Sequence, residues 1–407
     1  MDHQLVHAVE KALGWSGPGR LGVGFARGSM PDPNLCARVL TPTRLLDLIM
    51  RRSLTSPQFR CFQNGRELHP NNYLTVATTR RGQNLQMADM RKLARLMQSG
   101  CTLVLDTVGT FDPTMEVTCR AWQWWSHELV QVNAYLATQD TAGFTLHWDD
   151  HDVLIVQLAG EKDWEVRGRS RPVPMYRDAA QNRTPSEDVI WSGTLSAGEV
   201  MHIPRGYWHQ ATRIGLGDGF SLHVTFGFVR RTGVDWLTWL ADRSREDELF
   251  RHDLDRWDSP DEWATQEEML AAAESRLVAS RFPSDFLAAR EYEQPPHRQV
   301  ATGGIFGAPS AVVCVTEFPP RLERHGETID VLAAGKKITF AAKAIPPLCR
   351  LLSGQPVGLA ETTAACGVDA AILANVLVTE GICAELTSEL LSGYTGLATN
   401  GDFLKEH

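Results

Sequence analysis

Along the first hundred residues apolar positions recur at mixed intervals. Leu45, Leu46, Leu48, Ile49 and Met50 cluster as on a short helix. Met90, Leu93 and Met97 fall at helical spacing, leaving Arg91, Lys92 and Arg95 for solvent. Residues 101–106 form a short apolar run that predicts a buried strand, and 116–132 predicts a second helix. From Val132 to Val229 the texture changes. VNAYLAT, FTLHWD, VLIVQLAG, KDWEVR, EVMHIPRG, HQATRI and SLHVTFGFV are short β-branched or aromatic runs with Gly, Pro and Asp between them. Many short strands without intervening helices predict an all-β barrel or double-sheet roll and argue against a doubly wound sheet.

Beyond Arg230 the helical period returns, over 234–249 and 261–280. The stretch 291–304 is rich in Pro and Gly and reads as a linker. After it come an extended stretch at 311–316, helical segments at 341–354, 359–367 and 369–381, and a possible strand at 382–388. Three short helices followed by a strand form a winged-helix-like pattern. The expected class is therefore α+β in three parts: a β domain with N-terminal helical elements (1–230), a helical region (231–304) and a winged-helix-like module (305–407).

Composition narrows the partners. Hydrophobic residues make up 43% of the 407 positions and charged residues 22%, as in an ordinary globular protein. The formal charge of −9 makes the whole chain a poor non-specific binder of nucleic acid, although a local basic patch stays open. The 369–381 helix, which stands where a DNA-reading helix would, carries no Arg or Lys over 368–377. No apolar run approaches the roughly 18 residues of a membrane span. The first 15 residues lack a basic region followed by an apolar one, so a cytoplasmic home is expected. None of the eight cysteines forms a CxxC, which disfavours a thiolate zinc site and leaves them as small apolar side chains.

The informative chemistry lies in GFTLHWDDHDVLIVQLAGEKDWEV, residues 143–166. On a strand His147 and Asp149 share one face and Trp148 points away. An imidazole beside a carboxylate makes two corners of a metal site. A second imidazole is available from GEVMHIPRGYWH (198–209), where His209 opens a strand sixty positions after Asp149. Two His and one carboxylate on a β scaffold leave positions open on Fe(II), and N, O, N ligands without a thiolate suit iron better than zinc. His151 shares the face of His147 and Asp149, but three ligands from five consecutive residues would be too nearly collinear, so His209 is preferred. His202 suits a core or hydrogen-bonding role, and His223 a place in the pocket wall without binding metal.

The segments NAYLATQDTAGFTLHWDDHDVLIVQLAGEKDWEV, GEVMHIPRGYWHQA and SLHVTFGF resemble the JmjC-type cupins of the ribosomal-oxygenase group, over roughly residues 22–228. The resemblance implies a double-stranded β-helix core, a helical dimerisation region and a C-terminal winged-helix module. It implies an Fe(II)- and 2-oxoglutarate-dependent dioxygenase that uses O2 to hydroxylate a side chain of a protein or peptide, with Arg or His of a ribosomal protein as the family's substrate. By the same resemblance His147, Asp149 and His209 hold the iron, and Lys162 binds the distal carboxylate of 2-oxoglutarate. Asn133 and Thr225 support the cosubstrate. A homodimer, no membrane and no nucleic acid are expected as partners. Two departures bear on the substrate alone. Trp148 stands where the family often has Tyr, and Tyr207 with Trp208 suggests an aromatic mouth. The cluster Trp122, Trp124 and Trp125 reads as core or lid. Tailoring of a ribosomally made peptide, and a non-enzymatic cupin sensor or regulator, are the alternative functions. An isomerase-type or storage-type cupin would have no need of Lys162.

Overall fold

The computed structural model describes residues 1–254, 256–294 and 299–398. At its centre two antiparallel sheets share one 18-residue strand, Asp152–Arg169. Its first half is buried without a break from Asp152 to Leu158, as a strand covered on both faces must be. This half pairs with Glu199–Ile203 on one side and with Phe220–Val229 on the other. The first sheet continues through Leu129–Thr138, Cys101–Leu105 and Phe59–Gln63 to Arg66–Glu67, and Ala26–Ser29 closes the opposite edge. At Gly160 φ is +63°, and a Cβ there would sit 1.9 Å from the Phe220 carbonyl oxygen. Only glycine fits such an approach. There the strand leaves the first sheet, and its second half pairs with Val189–Ser196 and Tyr207–Thr212. One strand thus serves both walls of the roll, where the sequence pattern suggested two separate strands.

Alternation along the strands builds an inner and an outer face. Leu222, Val224, Phe226 and Phe228 point into the main apolar core with Val132, Ala134, Leu136, Leu154 and Val156. The residues between them line a cavity. Register places these lining residues side by side: Thr225 opposite Asn133 and Ile155, His223 opposite Tyr135, Gly227 opposite Gln131 and Val153.

The helices follow local rules. Thr41 and Asp89 cap the helices Pro42–Arg51 and Met90–Ser99, which cover the apolar clusters seen in sequence. The helix expected over 116–132 runs from Pro113 to Ser126. His127 ends it in the left-handed region, and Leu129–Thr138, with its alternating pattern, is strand. The helix expected over 234–249 stops at Ser244, and Pro260–Ser280 and Pro283–Glu293 follow. FTLHWD is not a strand. The stretch from Ala142 to Asp149 pairs with Tyr207–Thr212 only at isolated bridges, Ala142 to Thr212 and His147 to His209, whose registers differ by two residues. Between them Gly143 lies against the Ala211 carbonyl, where a Cβ would come within 1.9 Å of the oxygen.

The C-terminal part carries helices Ile345–Leu351, Leu359–Cys366 and Ala370–Thr379 and a short strand Cys383–Glu385. A meander, Arg321–His325, Thr328–Ala333 and Lys336–Ala341, precedes them and was missed in the sequence, where alternation with charged residues hid it. Trp124 packs into this second core and donates its indole N–H to the Thr316 carbonyl at 2.9 Å. Trp122 lies in the main core against Phe226 and Phe228, so the tryptophan cluster is core and not a lid. Five of the eight cysteines are buried and none is bridged. Among the described residues no helix is long and apolar enough to cross a membrane.

Candidate active site

The inner face of the roll encloses a cavity of about 450 Å³. At one end His147, Asp149 and His209 each present a ligand atom, all within 4.8 Å of one another, the one such triad among the described residues. His147 and His209 are brought together by their backbones. Each donates its N–H to the other's carbonyl, at 3.1 and 2.7 Å, and the rings come to a 4.4 Å centroid separation. The two rings are held by the same device. The Nδ1 of His147 lies 2.8 Å from the Thr145 carbonyl, and that of His209 lies 3.1 Å from the Tyr207 carbonyl. A carbonyl can only accept, so both Nδ1 atoms carry the proton and both Nε2 lone pairs are free for a metal.

Asp149 is positioned at both ends. Its backbone carbonyl accepts from Gly206 N–H at 2.9 Å. Its Oδ1 accepts from the Tyr176 hydroxyl at 3.3 Å, and Oδ2 faces His209 Nε2 at 3.5 Å. Burial works to raise its carboxyl, but the imidazoles of His209, His151 and His147, with the Tyr176 hydroxyl, hold it below the ordinary value. Burial pushes His209 down to about 4, against the pull of Asp149. At neutral pH the site therefore offers a neutral imidazole and a carboxylate, the forms that ligate.

Lys162 reaches the same cavity from the second sheet. It is 1% exposed, and no carboxylate pairs with it among the described residues. Burial alone pushes its ammonium down to about 8. An unpaired buried ammonium costs several kcal/mol in general, so its setting fits an anion in the cavity. The neighbours are polar or aromatic: Asn133, Tyr135, Trp164, His223 and Thr225. His223 stacks on Tyr135 at 4.7 Å with its ring planes 5° apart. Burial and then the Lys162 charge hold it far below its ordinary value, so it is a neutral wall residue. Asn133 is held by the Thr107 N–H, which donates to its Oδ1 at 2.9 Å.

The other histidines separate cleanly. His202 lies outside the cavity, its ring held between the Gly24 carbonyl and the Gly22 N–H and edge-on to Trp15. His151 lines the cavity and rests on Gly227, where a Cβ would meet its ring at 2.8 Å. Its ring therefore occupies the wall beside the triad. The aromatic mouth expected from Tyr207 and Trp208 is not present. Neither lines the cavity, because Trp208 turns into the protein and donates to Ser170 Oγ at 2.8 Å. Tyr135, Phe144 and Trp164 supply the aromatic surface instead. The first and last of these sit at cavity-facing strand positions, a signal the alternation carried. Tyr176 comes from an irregular loop that no sequence pattern marked.

The donor set is N, O, N with open coordination and no thiolate, which fits a resident Fe(II). The unpaired ammonium on the same cavity fits a carboxylate ligand beside it.

Comparison with known proteins agrees with this geometry. Residues 111–235 match the family model of the JmjC domain. The chain is 30% identical over 128 residues to a Drosophila persimilis bifunctional lysine-specific demethylase and histidyl-hydroxylase NO66, covering 31% of this chain and 18% of that protein. It is 31% identical over 137 residues to chicken ribosomal oxygenase 1, covering 33% of this chain and 22% of that one. The chain thus spans only about a fifth of these relatives' length. Among solved structures, Escherichia coli ycfD superimposes with a TM-score of 0.53 at 16% identity, covering 94% of this chain and 99% of that chain. A second structure of that ribosomal oxygenase gives 0.50 at 17% identity, over 85% and 90%. At such identities the likeness speaks to the fold.

Proposed function

We propose that this chain, which carries a JmjC domain, is an Fe(II)- and 2-oxoglutarate-dependent oxygenase that hydroxylates an amino-acid side chain of a protein or peptide. The observation that carries the reading is the buried, unpaired Lys162 on the same cavity as the His147, Asp149 and His209 triad. A simple metal-sensing or storage cupin has no use for such an ammonium, whereas a dicarboxylate cosubstrate repays its burial. Side chains of ribosomal proteins are the substrate class to which the relatives' names point.

In this reading His147, Asp149 and His209 would hold the iron. When bound, the metal supplies O2 activation coupled to decarboxylation of 2-oxoglutarate to succinate and CO2. The chain supplies the rest. Lys162 fixes the far carboxylate of the cosubstrate, a charge-assisted contact strengthened by burial. Asn133 and Thr225, opposite one another in register, flank it as hydrogen-bonding groups. Tyr176 orients Asp149. Tyr135, Trp164 and His223 exclude water from the cavity.

The regions outside the cavity take secondary roles in the proposal. Val234 and Leu237 in Gly233–Ser244 and Met269 in Pro260–Ser280 are exposed apolar residues, which supports a homodimer through residues 231–304. Residues 305–407 would form a winged-helix-like module and 1–230 the catalytic domain, in a cytoplasmic protein.

Anaerobic titration tests the reading. Wild-type protein with Fe(II) should bind 2-oxoglutarate, His209→Ala should lose the iron, and Lys162→Ala should keep iron but lose the cosubstrate. Failure of the wild type to bind either would overturn the proposal.

A further inference from the structure

The strand Leu129–Thr138 forms one wall of the cavity through Gln131, Asn133 and Tyr135. On one edge it pairs over its whole length with Phe220–Val229. On the other edge its neighbour is Cys101–Leu105, which reaches only from Thr138 to Ala134. Beyond that point the neighbouring chain leaves the sheet. Thr107 turns it away at φ +50°, a left-handed conformation that a β-branched residue rarely adopts. The Thr107 N–H goes to the Asn133 side chain at 2.9 Å and not to the backbone of the strand. Residues 129–133 are therefore left without a strand on that edge.

Hydrogen-bond parity identifies the open groups. Gln139 N–H donates to the Gly219 carbonyl, in register with the ladder to Phe220–Val229. Odd-numbered residues of the strand thus bond that ladder, and even-numbered ones turn their N–H and C=O to the opposite edge. Val130 follows this rule, since its N–H donates to Gln123 Oε1 at 3.1 Å. Left over are the Val130 carbonyl and the N–H and carbonyl of Val132. None of them has a hydrogen-bond partner among the described residues.

Val130 and Val132 border a cleft of about 270 Å³, closed on its other sides by the 107–110 turn and the helix Pro113–Ser126. Its charged side chains are engaged. Arg120 pairs with Glu116 at 2.7 Å, and Glu317 accepts from Gln123 Nε2. What the cleft offers is a backbone edge. Gln131 lines both the cleft and the cavity. It is exposed, whereas His223, opposite Tyr135 further along the same wall, is 2% exposed. Gln131 therefore stands at the cavity rim.

We propose that this edge receives the polypeptide substrate by strand addition. An extended segment of the substrate pairs with Val130 and Val132, and one of its side chains passes Gln131 into the cavity. The chemistry that follows rests on the oxygenase reading; the docking does not. An unpaired sheet edge is a template for a further strand, and main-chain bonds supply its affinity. An added strand prolongs the sheet at a spacing of about 4.8 Å, so its alternate side chains fall on the face of Gln131 and Asn133. That is the face lining the cavity. A helical segment would not serve, because its own N–H and C=O groups are bonded internally.

The test uses the full chain with Fe(II) and 2-oxoglutarate under anaerobic conditions. Fluorescent peptides of about 12 residues, tiled across ribosomal proteins, are screened by anisotropy. The tightest binder is then remade with one backbone N-methyl group at each position in turn. Affinity should fall about tenfold at alternate positions of the paired segment, the loss expected from a broken backbone hydrogen bond. Val132→Pro deletes the open N–H and spares the ladder on the other edge, so it should weaken binding by a similar factor. Gly109→Leu fills the cleft from the facing turn, where a Cβ would meet nothing closer than the Met115 carbonyl oxygen at 3.5 Å. It should weaken binding at least as much, and it decides the question if the proline variant does not fold. In air, Gly109→Leu should form succinate at the wild-type rate without peptide, and with peptide it should show a raised KM at unchanged kcat. The absence of any binder, N-methyl sensitivity at every position or at none, or unchanged affinity in Gly109→Leu would overturn the proposal. So would a dimer that Val132→Pro dissociates, since a second copy would then fill the edge. Alternating sensitivity in a protein that forms no succinate would instead sink the oxygenase reading and leave the docking edge standing.

Discussion

Replacing Lys162 by Met should make the empty protein more stable while abolishing its response to 2-oxoglutarate. Met keeps much of the side-chain length and removes the charge. In the folded chain burial lowers the ammonium from 10.5 to about 8. The folded state therefore holds its proton less tightly than the unfolded one. Below pH 8 both states carry the charge, and the folded state bears a penalty of about 3 kcal/mol, at 1.36 kcal/mol for each pKa unit. The penalty declines as pH rises through 8 and vanishes above the unfolded value. Urea unfolding of the metal-free protein should show Lys162→Met more stable by up to about 3 kcal/mol at pH 7 and by about 1 kcal/mol at pH 9.5. Saturating 2-oxoglutarate with metal, at about 100 times Kd, should stabilise the wild type by about 2.7 kcal/mol. The same addition should not shift the variant. A variant less stable than wild type at pH 7, or one that keeps the ligand shift, would refute the picture of an uncompensated buried ammonium awaiting an anion.

Further outcomes follow from the same geometry. Tyr176→Phe removes the hydroxyl at Asp149 Oδ1 and should weaken iron retention about tenfold without unfolding the protein, read by competition with a chelator. Gly143→Ala forces a Cβ to within 1.9 Å of the Ala211 carbonyl, so melting should show a loss of at least about 2 kcal/mol and a disrupted triad. Burial depresses His209, so the folded metal-free state takes up its proton only near pH 4, whereas the unfolded chain does so near 6.5. Stability should therefore fall as pH drops from about 6.5 towards 4. His209→Gln should flatten that fall in urea titrations.

Much of the site was legible because its chemistry is local in sequence. His147 and Asp149 stand two apart, and His209 follows a turn at Ala197–Gly198, with Glu199 already in the strand it opens, and a Pro-Arg-Gly turn that the fold retains. FTLHWD alternates as a strand would, yet His147 and Asp149 are brought to His209 by a pair of exchanged backbone hydrogen bonds between His147 and His209, a long-range event that alternation cannot reveal. Tyr176 was invisible for the same reason. It reaches Asp149 from an irregular loop, anchored by contact with Trp148 at 4.9 Å between ring centroids. Helix ends were misplaced where a single left-handed residue, His127, and not a Gly or Pro, stops the helix. The strand Val189–Ser196 escaped notice because its alternating residues are largely exposed at the edge of the second sheet. The single long strand was split in two because Gly160 reads as a turn, when its role is to bend one strand from one sheet into the other.

The central claim is tested most directly by succinate release. Fe(II)-loaded wild type, supplied with 2-oxoglutarate and then air, should form succinate even without a protein substrate. His209→Ala and Lys162→Ala should each abolish that turnover, and a responsive peptide should gain 16 mass units. Wild-type protein that takes up iron and 2-oxoglutarate but forms no succinate, with or without a ribosomal-protein extract, would contradict the account.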